Sequence, residues 1–413
     1  MNVTVTPSAL FGKVNIPPSK SEGHRLLMAA AFADGESRLF GMAHSEDIDA
    51  TIGCMREMGA VITEDGSALT VKGIAAKENC LKNSALSFDC CESGSTMRFI
   101  IPASAVLSSG GRFKGRGRLP KRPQKPYEDI FESFGGKLLS DSDGVTVSGH
   151  LASGSYKLRG DISSQFFTGL MYALPLLSGN SELISTTALE SSAYIDMTVS
   201  AMRRAGVAVD SIGQGHWLIR GSQSYKPFEK TVEGDWSQAA FWLAAKFIGA
   251  DIEIVGCDEA SLQGDKAIAD MLCKMRGDKE VIIDLSECPD LLPPAAAAAA
   301  LRQKGSVTRF VGAKRLRIKE SDRIESVNAA LTSMGAKTNE GEDFLTVYGA
   351  EKLKGGCVID SHNDHRIAMM SAIAALGCLE PVTITGAECV KKSYPDFWQV
   401  YKSLGGIIDM KGE

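Results

Sequence analysis

The 413-residue sequence has no long apolar run, and no stretch approaches the roughly 18 consecutive apolar residues of a membrane-spanning helix. The amino terminus also lacks the basic region and apolar stretch of a signal peptide, so we expect a cytoplasmic protein. Basic residues are not in excess, because 45 Lys and Arg stand against 50 Asp and Glu and give a net charge of −5. This balance excludes a protein that holds nucleic acid or anionic membrane by overall attraction. An anionic ligand therefore needs a local cluster of cations.

Several nucleotide and metal motifs are also missing. The ten cysteines include one adjacent pair, Cys90-Cys91, but no Cys-x-x-Cys, the pair that supplies two of the four ligands in many zinc sites. We therefore expect reduced thiols. There is no Gly-x-x-x-x-Gly-Lys-Ser/Thr loop, and Gly115-Arg116-Gly117 lacks the third glycine of a dinucleotide fingerprint. No serine lies in a nucleophile elbow. ATP-driven chemistry, nicotinamide chemistry and esterase-type catalysis are therefore poorly supported.

The chain instead repeats one pattern six times. In each repeat, apolar residues at helical spacing run into a glycine, which suits a helix end at positive φ. The intervals between these glycines are 58 to 76 residues, which is right for a unit of two helices and several strands. Because the length fits about two domains, six units predict two groups of three. The glycines are Gly59, Gly135, Gly206, Gly277, Gly335 and Gly405.

A hairpin pattern follows most of these glycines, with alternating residues around a turn. The unit after Gly277 lacks this hairpin pattern, because its strand runs directly into Cys288-Pro289-Asp290. We place the boundaries near Pro17-Pro18 and near Glu233-Gly234, which predicts one domain over residues 18–233 and a second over 234–413, with a strand within 1–17 crossing back into the second. The hairpin turns are Asp65-Gly66, Asp143-Gly144, Gly213-Gln214-Gly215 and Glu340-Gly341.

Four polar clusters lie immediately before predicted helices. Each combines small or polar residues at a helix start with a nearby Lys or Arg or, in the third cluster, a Gln, an arrangement that binds phosphate through free backbone amides and the helix dipole. Serine caps and a first-turn arginine also occur for helix stability alone, so one such loop is weak evidence. Four together predict an anionic ligand. The clusters are Ser19-Lys20-Ser21 with Arg25, Ser93 to Arg98, Ser163-Ser164-Gln165, and Asn363-Asp364-His365-Arg366.

Other charged residues extend this set. Arg122 ends a basic loop that lacks the interleaved aromatic residues of an RNA site. Lys319 and Arg323 flank Glu320, and Lys392 begins Lys392-Ser393-Tyr394-Pro395-Asp396. Asp290 also suits a simple helix-start acid, and Glu320 suits simple pairing with its neighbours. Taken alone, the residues leave both readings of these acids open.

These motifs, with Tyr194-Ile195-Asp196, resemble those of the 5-enolpyruvylshikimate-3-phosphate (EPSP) synthase family, in the same order over nearly the whole chain. The resemblance implies an α/β fold of two inside-out domains, each of three βαβαββ-like units, with the active site in the interdomain cleft. It implies transfer of the enolpyruvyl (1-carboxyvinyl) group of phosphoenolpyruvate to the 5-hydroxyl of shikimate 3-phosphate, releasing phosphate through a tetrahedral intermediate, in the shikimate pathway to chorismate and aromatic amino acids. It also implies a monomer without cofactor or metal, inhibited by glyphosate.

The same resemblance assigns roles to residues. Asp290 is the implied base for the 5-hydroxyl, and Glu320 is the implied group that protonates the methylene carbon and later removes a proton. Lys20 and Lys392 assist at the bridging or leaving oxygen. His365 is left between a proton-transfer role and a loop-orienting role. The implied ligands of shikimate 3-phosphate are Lys20, Ser21, Arg25, Ser163, Ser164, Gln165, Ser191, Tyr194, Asp290 and Lys319. The implied ligands of phosphoenolpyruvate are Lys20, Gly94, Arg122, Gln165, Arg323, His365, Arg366 and Lys392.

Two positions depart from the family pattern. Glu92 stands where members often have Asn, which places an acid near the phosphoenolpyruvate pocket. Arg315 stands where some members have Asn near the shikimate phosphate. The role of each position is therefore open.

Three alternatives were weighed against this interpretation. A UDP-N-acetylglucosamine enolpyruvyl transferase carries a reactive cysteine in the loop where this chain has Gly115 to Arg122, and it lacks the Asn-Asp-His-Arg motif. A non-catalytic phosphometabolite-binding protein predicts loss of Lys20, Asp290 or Glu320, and all three are present. An RNA-end processing enzyme is disfavoured by the acidic balance.

Overall fold

The computed structural model describes residues 1–76 and 86–412, which form twelve α-helices and 22 strands. The helices are α1 Lys20–Ala31, α2 Glu46–Glu57, α3 Gly94–Leu107, α4 Lys125–Ser133, α5 Ser164–Ala173, α6 Ser192–Arg204, α7 Trp236–Ile248, α8 Ile268–Gly277, α9 Leu292–Ala300, α10 Arg323–Ser333, α11 His365–Ala375 and α12 Phe397–Ser403. The first eleven strands are β1 Asn2–Thr6, β2 Phe11–Asn15, β3 Glu36–Phe40, β4 Val61–Asp65, β5 Ala68–Lys72, β6 Ser87–Asp89, β7 Gly110–Lys114, β8 Lys137–Asp141, β9 Gly144–Ser148, β10 Ser155–Leu158 and β11 Ser181–Ser185. The others are β12 Asp210–Gly213, β13 His216–Ile219, β14 Glu229–Thr231, β15 Asp251–Val255, β16 Glu280–Asp284, β17 Val307–Val311, β18 Lys337–Gly341, β19 Phe344–Tyr348, β20 Val358–Asp360, β21 Val382–Thr385 and β22 Ile407–Lys411.

The chain divides into two compact units, one of Pro18–Glu233 and one of Met1–Pro17 with Gly234–Glu413. Each unit has its own apolar core, built from the buried faces of its helices and sheets. Within the described residues, no helix is both long enough and apolar enough to cross a membrane. The α/β class expected from the sequence is confirmed.

The repeated pattern is clearest in the sheet of β6, β7, β8 and β9. β6 and β7 run parallel around α3, and the hairpin β8–β9 follows α4 and joins β7 antiparallel. The sheets β10 to β13 and β16 to β19 have the same order of parallel pair and hairpin. Asp143-Gly144 makes the turn of β8–β9, because Gly144 takes a φ of 145°, which side-chain-bearing residues rarely adopt. The structure also forms the hairpins at the other three predicted turns.

The amino-terminal strand β1 lies in a sheet with β20, β21 and β22 from the end of the chain. It pairs antiparallel with both β21 and β22, and so takes the place of a hairpin strand in this unit. Val3 and Val5 point into the core and are fully buried. β2 pairs parallel with β15 in the same unit.

Five of the six glycines predicted to end helices have positive φ, as expected. Gly277 does not, so that prediction is wrong for this position. α8 includes Gly277, and Asp278 in an extended conformation ends the helix with its backbone N–H donating to the Lys274 carbonyl. A helix can therefore stop here without a left-handed residue.

The predicted site residues are concentrated in loops that connect the carboxyl ends of strands to the starts of helices. The loop after β16 leads through Asp290 into α9, and the loop after β17 leads through Lys319 into α10. Because β16 and β17 are adjacent and parallel, both loops leave the same edge of one sheet. Ser19, Ser93, Ser163 and Asp364 are the N-cap residues of α1, α3, α5 and α11, and each side chain accepts a hydrogen bond from a backbone N–H of its helix.

Candidate active site

In the unit Pro18–Glu233, the start of α1 carries Lys20 and Arg25. The Lys20 ammonium lies 2.8 Å from the Asp47 carboxylate at the start of α2. The Lys20 side chain keeps a small exposed surface, since 16% of it is accessible. Asp47 therefore holds Lys20 in one place while leaving it able to reach a ligand.

Arg25 is almost fully buried, and burial lowers the pKa of its guanidinium. Its Nε donates to the Tyr194 carbonyl at 3.1 Å and to the Thr198 hydroxyl at 2.9 Å, and its Nη1 donates to the Ser21 carbonyl at 2.7 Å. Ser191, before the first residue of α6, has a φ of 58°. These contacts bring Ser21, Arg25, Ser191 and Tyr194 into one neighbourhood, although they come from two distant segments of the chain.

A buried chain of hydroxyl groups lies behind Lys20 and joins α1, α2 and α3. His24 Nδ1 lies 2.8 Å from the Thr51 hydroxyl, which lies 2.6 Å from the Thr96 hydroxyl. The Thr96 hydroxyl donates in turn to Ser93 Oγ at 2.7 Å. Burial lowers the pKa of His24 to about 3, so its imidazole is neutral at physiological pH. The chain connects the Lys20 helix to the helix that begins at Gly94.

Gly94 is the first residue of α3 and lies directly against Arg122. A Cβ atom added at Gly94 would be 2.3 Å from Arg122 Nη1. The Glu92 carboxylate lies against Gly117 in the same basic loop, because a Cβ at Gly117 would be 2.6 Å from Glu92 Oε2. The acid that departs from the family pattern is thus placed beside the Arg116 to Arg122 loop.

Arg98 supports these loops from behind. It is buried, and burial together with the nearby Arg122 charge lowers the pKa of its guanidinium well below the usual value. Nη1 donates to Gln165 Oε1 at 2.8 Å and Nη2 donates to the Pro123 carbonyl at 3.0 Å. Gln165 Nε2 donates to Ser95 Oγ at 2.9 Å. One arginine therefore positions Gln165 and the segment next to Arg122.

The unit of Met1–Pro17 and Gly234–Glu413 contains a second cluster, centred on Asp290. Its carboxylate receives Arg323 Nη1 at 2.6 Å and Arg366 Nη2 at 3.2 Å, and Lys319 Nζ lies 3.3 Å away. Burial raises the pKa of Asp290, but the charges of Arg366, Lys319 and Arg323 outweigh burial and hold the pKa well below its usual value. Asp290 is therefore an ionised acceptor surrounded by three cations.

Arg323 also connects Glu320 to Asp364. Its Nε donates to Asp364 Oδ2 at 2.7 Å, and its Nη2 lies 3.5 Å from Glu320 Oε1. On the other side of Glu320, Oε2 lies 2.9 Å from His365 Nδ1. The Arg323 charge outweighs burial and lowers the pKa of Asp364. Asp364 caps α11 through the Arg366 backbone N–H at 3.0 Å, so it orients both arginines.

Glu320, Asp364 and His365 are also a group of possible metal ligands among the described residues, with ligand atoms within 4.8 Å of one another. The Arg323 guanidinium already pairs with both carboxylates, and its positive charge would repel a metal cation at this place. We therefore assign these three side chains to the polar network around Arg323.

Lys392 and Arg315 complete the charged groups of this unit. Lys392 is buried at the end of a 3-10 turn, and its Nζ donates to the Asn363 carbonyl at 2.6 Å. Arg315 is also buried and donates from Nη2 to the Ser286 carbonyl. Lys392 thus lies beside the α11 cluster, whereas Arg315 supports the loop that leads to Asp290.

Sequence reasoning missed several residues that organise these clusters. The sequence patterns give no role to Asp47 or Thr51, and Asp364 and Thr96 lie within the polar motifs without an indicated role. An acid in the first turn of a helix, such as Asp47, is so common that its position alone carries no functional signal. Their roles depend on partners 27 to 45 residues away in the chain, which spacing does not indicate.

Both clusters share one chemistry: cations and helix starts arranged for anions, next to acids that can exchange protons. The fold and these clusters define an α/β protein of six repeated units that holds small, highly charged ligands. The family model described as EPSP synthase (3-phosphoshikimate 1-carboxyvinyltransferase) matches residues 5–401. The chain belongs to the EPSP synthase family.

Relatives and solved structures agree with this assignment. The chain is 43% identical to a 3-phosphoshikimate 1-carboxyvinyltransferase of Clostridium kluyveri, over 98% of each chain. It is 44% identical to one of Clostridium perfringens, over 100% of this chain and 99% of the relative. A solved EPSP synthase of Acinetobacter baumannii matches with a TM-score of 0.81 and 25% identity, over the whole of both chains. The enolpyruvyl transferase NikO of Streptomyces tendae, at 19% identity and a TM-score of 0.76, shares the fold over 99% and 98% of the two chains.

Proposed function

We propose that this chain transfers the enolpyruvyl group of phosphoenolpyruvate to the 5-hydroxyl of shikimate 3-phosphate and releases inorganic phosphate. The observation that carries the proposal is the pairing of an ionised Asp290 with Arg323, Arg366 and Lys319, next to a Glu320–His365 pair. These groups suit a substrate that is an anion and a reaction that moves protons. Full-length relatives named for this reaction support the same conclusion.

For shikimate 3-phosphate, we assign binding to the neighbourhood of Arg25. Arg25 Nη2 is the guanidinium nitrogen for which the described residues supply no acceptor. The start of α5 adds Ser163, Ser164 and Gln165, where the positive end of the helix dipole favours an anion. Ser21, Ser191 and Tyr194 complete this proposed set, together with Lys20, Asp290 and Lys319.

For phosphoenolpyruvate, planar guanidinium groups suit the carboxylate and phosphate. Arg323 and Arg366 are held in place by Asp364 and by the start of α11, so little side-chain entropy is lost when they bind. Because Gly94 has no side chain, the Arg122 guanidinium lies directly against the start of α3. Lys20, Gln165, His365 and Lys392 are the other ligands that we assign.

The acid–base steps follow from the charges around each carboxylate. In the unliganded protein Asp290 is a weak base, because three cations stabilise its ionised form. When anionic substrate groups take up part of these cations, the pKa of Asp290 rises and it can accept the 5-hydroxyl proton. Glu320, paired with His365, delivers a proton to the methylene carbon of phosphoenolpyruvate and later removes a proton from the resulting methyl group as phosphate leaves. Lys20 and Lys392 assist at the leaving oxygen.

The deciding experiment is release of inorganic phosphate from phosphoenolpyruvate by the purified protein, measured with each of two acceptors. We expect release that depends on shikimate 3-phosphate and none with UDP-N-acetylglucosamine. Release of phosphate with UDP-N-acetylglucosamine only would identify the protein as a UDP-N-acetylglucosamine enolpyruvyl transferase. Binding of shikimate 3-phosphate without phosphate release would identify a non-catalytic binding protein.

We also propose that the protein acts as a cytoplasmic monomer and that glyphosate competes with phosphoenolpyruvate. The close approach of the Arg122 guanidinium to Gly94 supports the inhibitor proposal, because a guanidinium suits a small anion and a Cβ at position 94 would displace it. Sedimentation at micromolar concentration tests the oligomeric state. Inhibition kinetics at several phosphoenolpyruvate concentrations test the competition.

A further inference from the structure

Thr96 lies in the first turn of α3, two residues after Gly94, and its side chain is fully buried. Its hydroxyl donates to Ser93 Oγ at 2.7 Å, and its backbone N–H donates to the same oxygen at 3.2 Å. Ser93 is the N-cap residue of α3. Thr96 therefore fastens the start of α3 to the N-cap that directly precedes Gly94.

The Thr96 hydroxyl also contacts α2. It lies 2.6 Å from the Thr51 hydroxyl and 3.3 Å from the Asp47 carbonyl oxygen. The Thr51 hydroxyl, which is likewise buried, lies 3.3 Å from the same carbonyl oxygen. Two buried hydroxyl groups therefore join the start of α3 to the backbone of Asp47 on α2.

The side of α2 that meets α1 carries the connection on to Lys20. The Asp47 carboxylate lies 2.8 Å from the Lys20 ammonium, and the Thr51 hydroxyl lies 2.8 Å from His24 Nδ1. Lys20 and His24 are four residues apart on α1, and Asp47 and Thr51 are four residues apart on α2, so each pair lies on one face of its helix. Two contacts one turn apart fix both the spacing and the rotation of these helices.

The hydroxyl groups at positions 51 and 96 constrain the helices more narrowly than apolar side chains would. Valine has nearly the shape of threonine and needs no hydrogen-bond partner when it is buried. A hydrogen bond, in contrast, restricts both a distance and an angle, and a connected buried network makes its surroundings rigid. The Thr51–Thr96 pair therefore sets the position of α3 against α2.

We propose that Thr96 and Thr51 are positioning residues for phosphoenolpyruvate, which hold the Gly94 start of α3 in place relative to the Lys20 ammonium. The inference rests on the proposed function, in which Lys20 and Gly94 are both ligands of phosphoenolpyruvate. Neither threonine is assigned to a substrate, so both act through their neighbours. A misplacement of about 1 Å between binding groups can cost about 100-fold in rate, so a small shift of α3 has a measurable effect.

The test is Thr96→Val, which keeps the shape of the side chain and removes the hydroxyl, with Thr96→Ser as the variant that keeps the hydroxyl. We expect T96V to raise the KM for phosphoenolpyruvate about tenfold and the KM for shikimate 3-phosphate less than about threefold. The reason for the difference is that the shikimate 3-phosphate ligands proposed on α5 and α6 do not contact this hydroxyl. T96S should keep both KM values within about twofold of the wild type.

The matched control is Ser104→Ala, which removes another fully buried hydroxyl from α3. Ser104 donates to the Ile101 carbonyl of its own helix at 2.8 Å and lies two turns beyond Thr96. S104A should leave both KM values unchanged. A rise in the KM for phosphoenolpyruvate in S104A equal to that in T96V would overturn the proposal, because loss of any buried hydroxyl would then explain the effect.

Urea unfolding of T51V, T96V and the double variant tests the contact without reference to activity. Because the two hydroxyl groups lie 2.6 Å apart, the double variant should lose less stability than the sum of the two single losses. Additive losses, or equal rises of both KM values in T96V, would overturn the proposal. If the wild type releases no phosphate with shikimate 3-phosphate, the proposed function fails, whereas the unfolding measurements still test the connection between α2 and α3.

Discussion

At the scale of single residues, the surroundings of each acid determine which protonation state it holds. Asp290 and Asp364 are kept ionised by arginines, while Asp265 is destabilised as an anion by burial. Three aspartates in one unit thus show two opposite tendencies, although the residue type is the same. Motif matching identified Asp290 but could not assign its pKa direction, because the three cations around it come from separate segments.

Asp290→Asn and Glu320→Gln should lower kcat far more than they change substrate affinity. Each substitution keeps the shape of the side chain but removes a group that exchanges protons, and such losses are of the order of 10²- to 10⁴-fold. Steady-state kinetics with both substrates measure the split, and Glu325→Gln, an exposed acid in the first turn of α10, is the control. A large rise in KM with normal kcat would instead identify these acids as binding groups.

Gly94→Ala should raise the KM for phosphoenolpyruvate and weaken inhibition by glyphosate, with folding intact. The backbone of Gly94 is helical, so alanine is tolerated, but its Cβ forces the Arg122 guanidinium to move. Gly53→Ala is the matched control, since a Cβ there meets no atom within 4 Å. Unchanged KM and unchanged inhibition in G94A would contradict the placement of phosphoenolpyruvate beside Arg122.

At the scale of elements, the sequence predicted most of the helix ends and hairpins correctly, because glycines and turn dipeptides act locally. It failed at Gly277, where the helix includes the glycine and ends at Asp278 in an extended conformation. The sequence could not predict how α1, α2 and α3 are joined. The His24–Thr51–Thr96–Ser93 chain links segments separated by tens of residues, and Ser and Thr occur too often for their spacing to predict such a chain.

The burial of His24 makes the stability of the folded protein depend on pH. Its folded pKa of about 3 lies below that of an unfolded histidine near 6.5, so the unfolded state binds the extra proton and stability falls as pH drops below about 6.5. Between pH 6.5 and 5 this amounts to about 2 kcal/mol. Urea unfolding at several pH values should show a shallower loss for His24→Asn than for the wild type. His44→Asn, at an exposed position, should keep the wild-type slope.

At the scale of the whole molecule, the six repeated units were visible in the sequence because a glycine follows the apolar helical pattern in each, and five of these glycines end a helix at positive φ. The places where the chain leaves one unit for the other were predicted only from Pro and Gly residues. The described structure has its two crossings at Pro17 to Pro18 and at Glu233 to Gly234. The pairing of β1 with β21 and β22 required the structure, since an isolated strand pattern does not identify its partner.

The double change Val3→Ala and Val5→Ala should lower the stability of the second unit by about 2–4 kcal/mol, because both side chains are fully buried. Tryptophan fluorescence during urea unfolding reports mainly on this unit, which holds Trp236, Trp242 and Trp398 of the four tryptophans. Thr6→Ala on the same strand is the control and should have little effect. An equal loss of unfolding free energy in both variants would show that any substitution in β1 destabilises the unit, and not only one on its apolar face.

The position of β1 also affects the order in which the protein is completed on the ribosome. Residues 18–233 are contiguous, so this unit can fold while the rest is still being synthesised. β1 is synthesised before this unit, but its partners β21 and β22, at Val382–Thr385 and Ile407–Lys411, are synthesised after it. β1 therefore leaves the ribosome long before its partners exist, and the nascent chain carries an apolar strand unpaired while the whole of residues 18–233 is made.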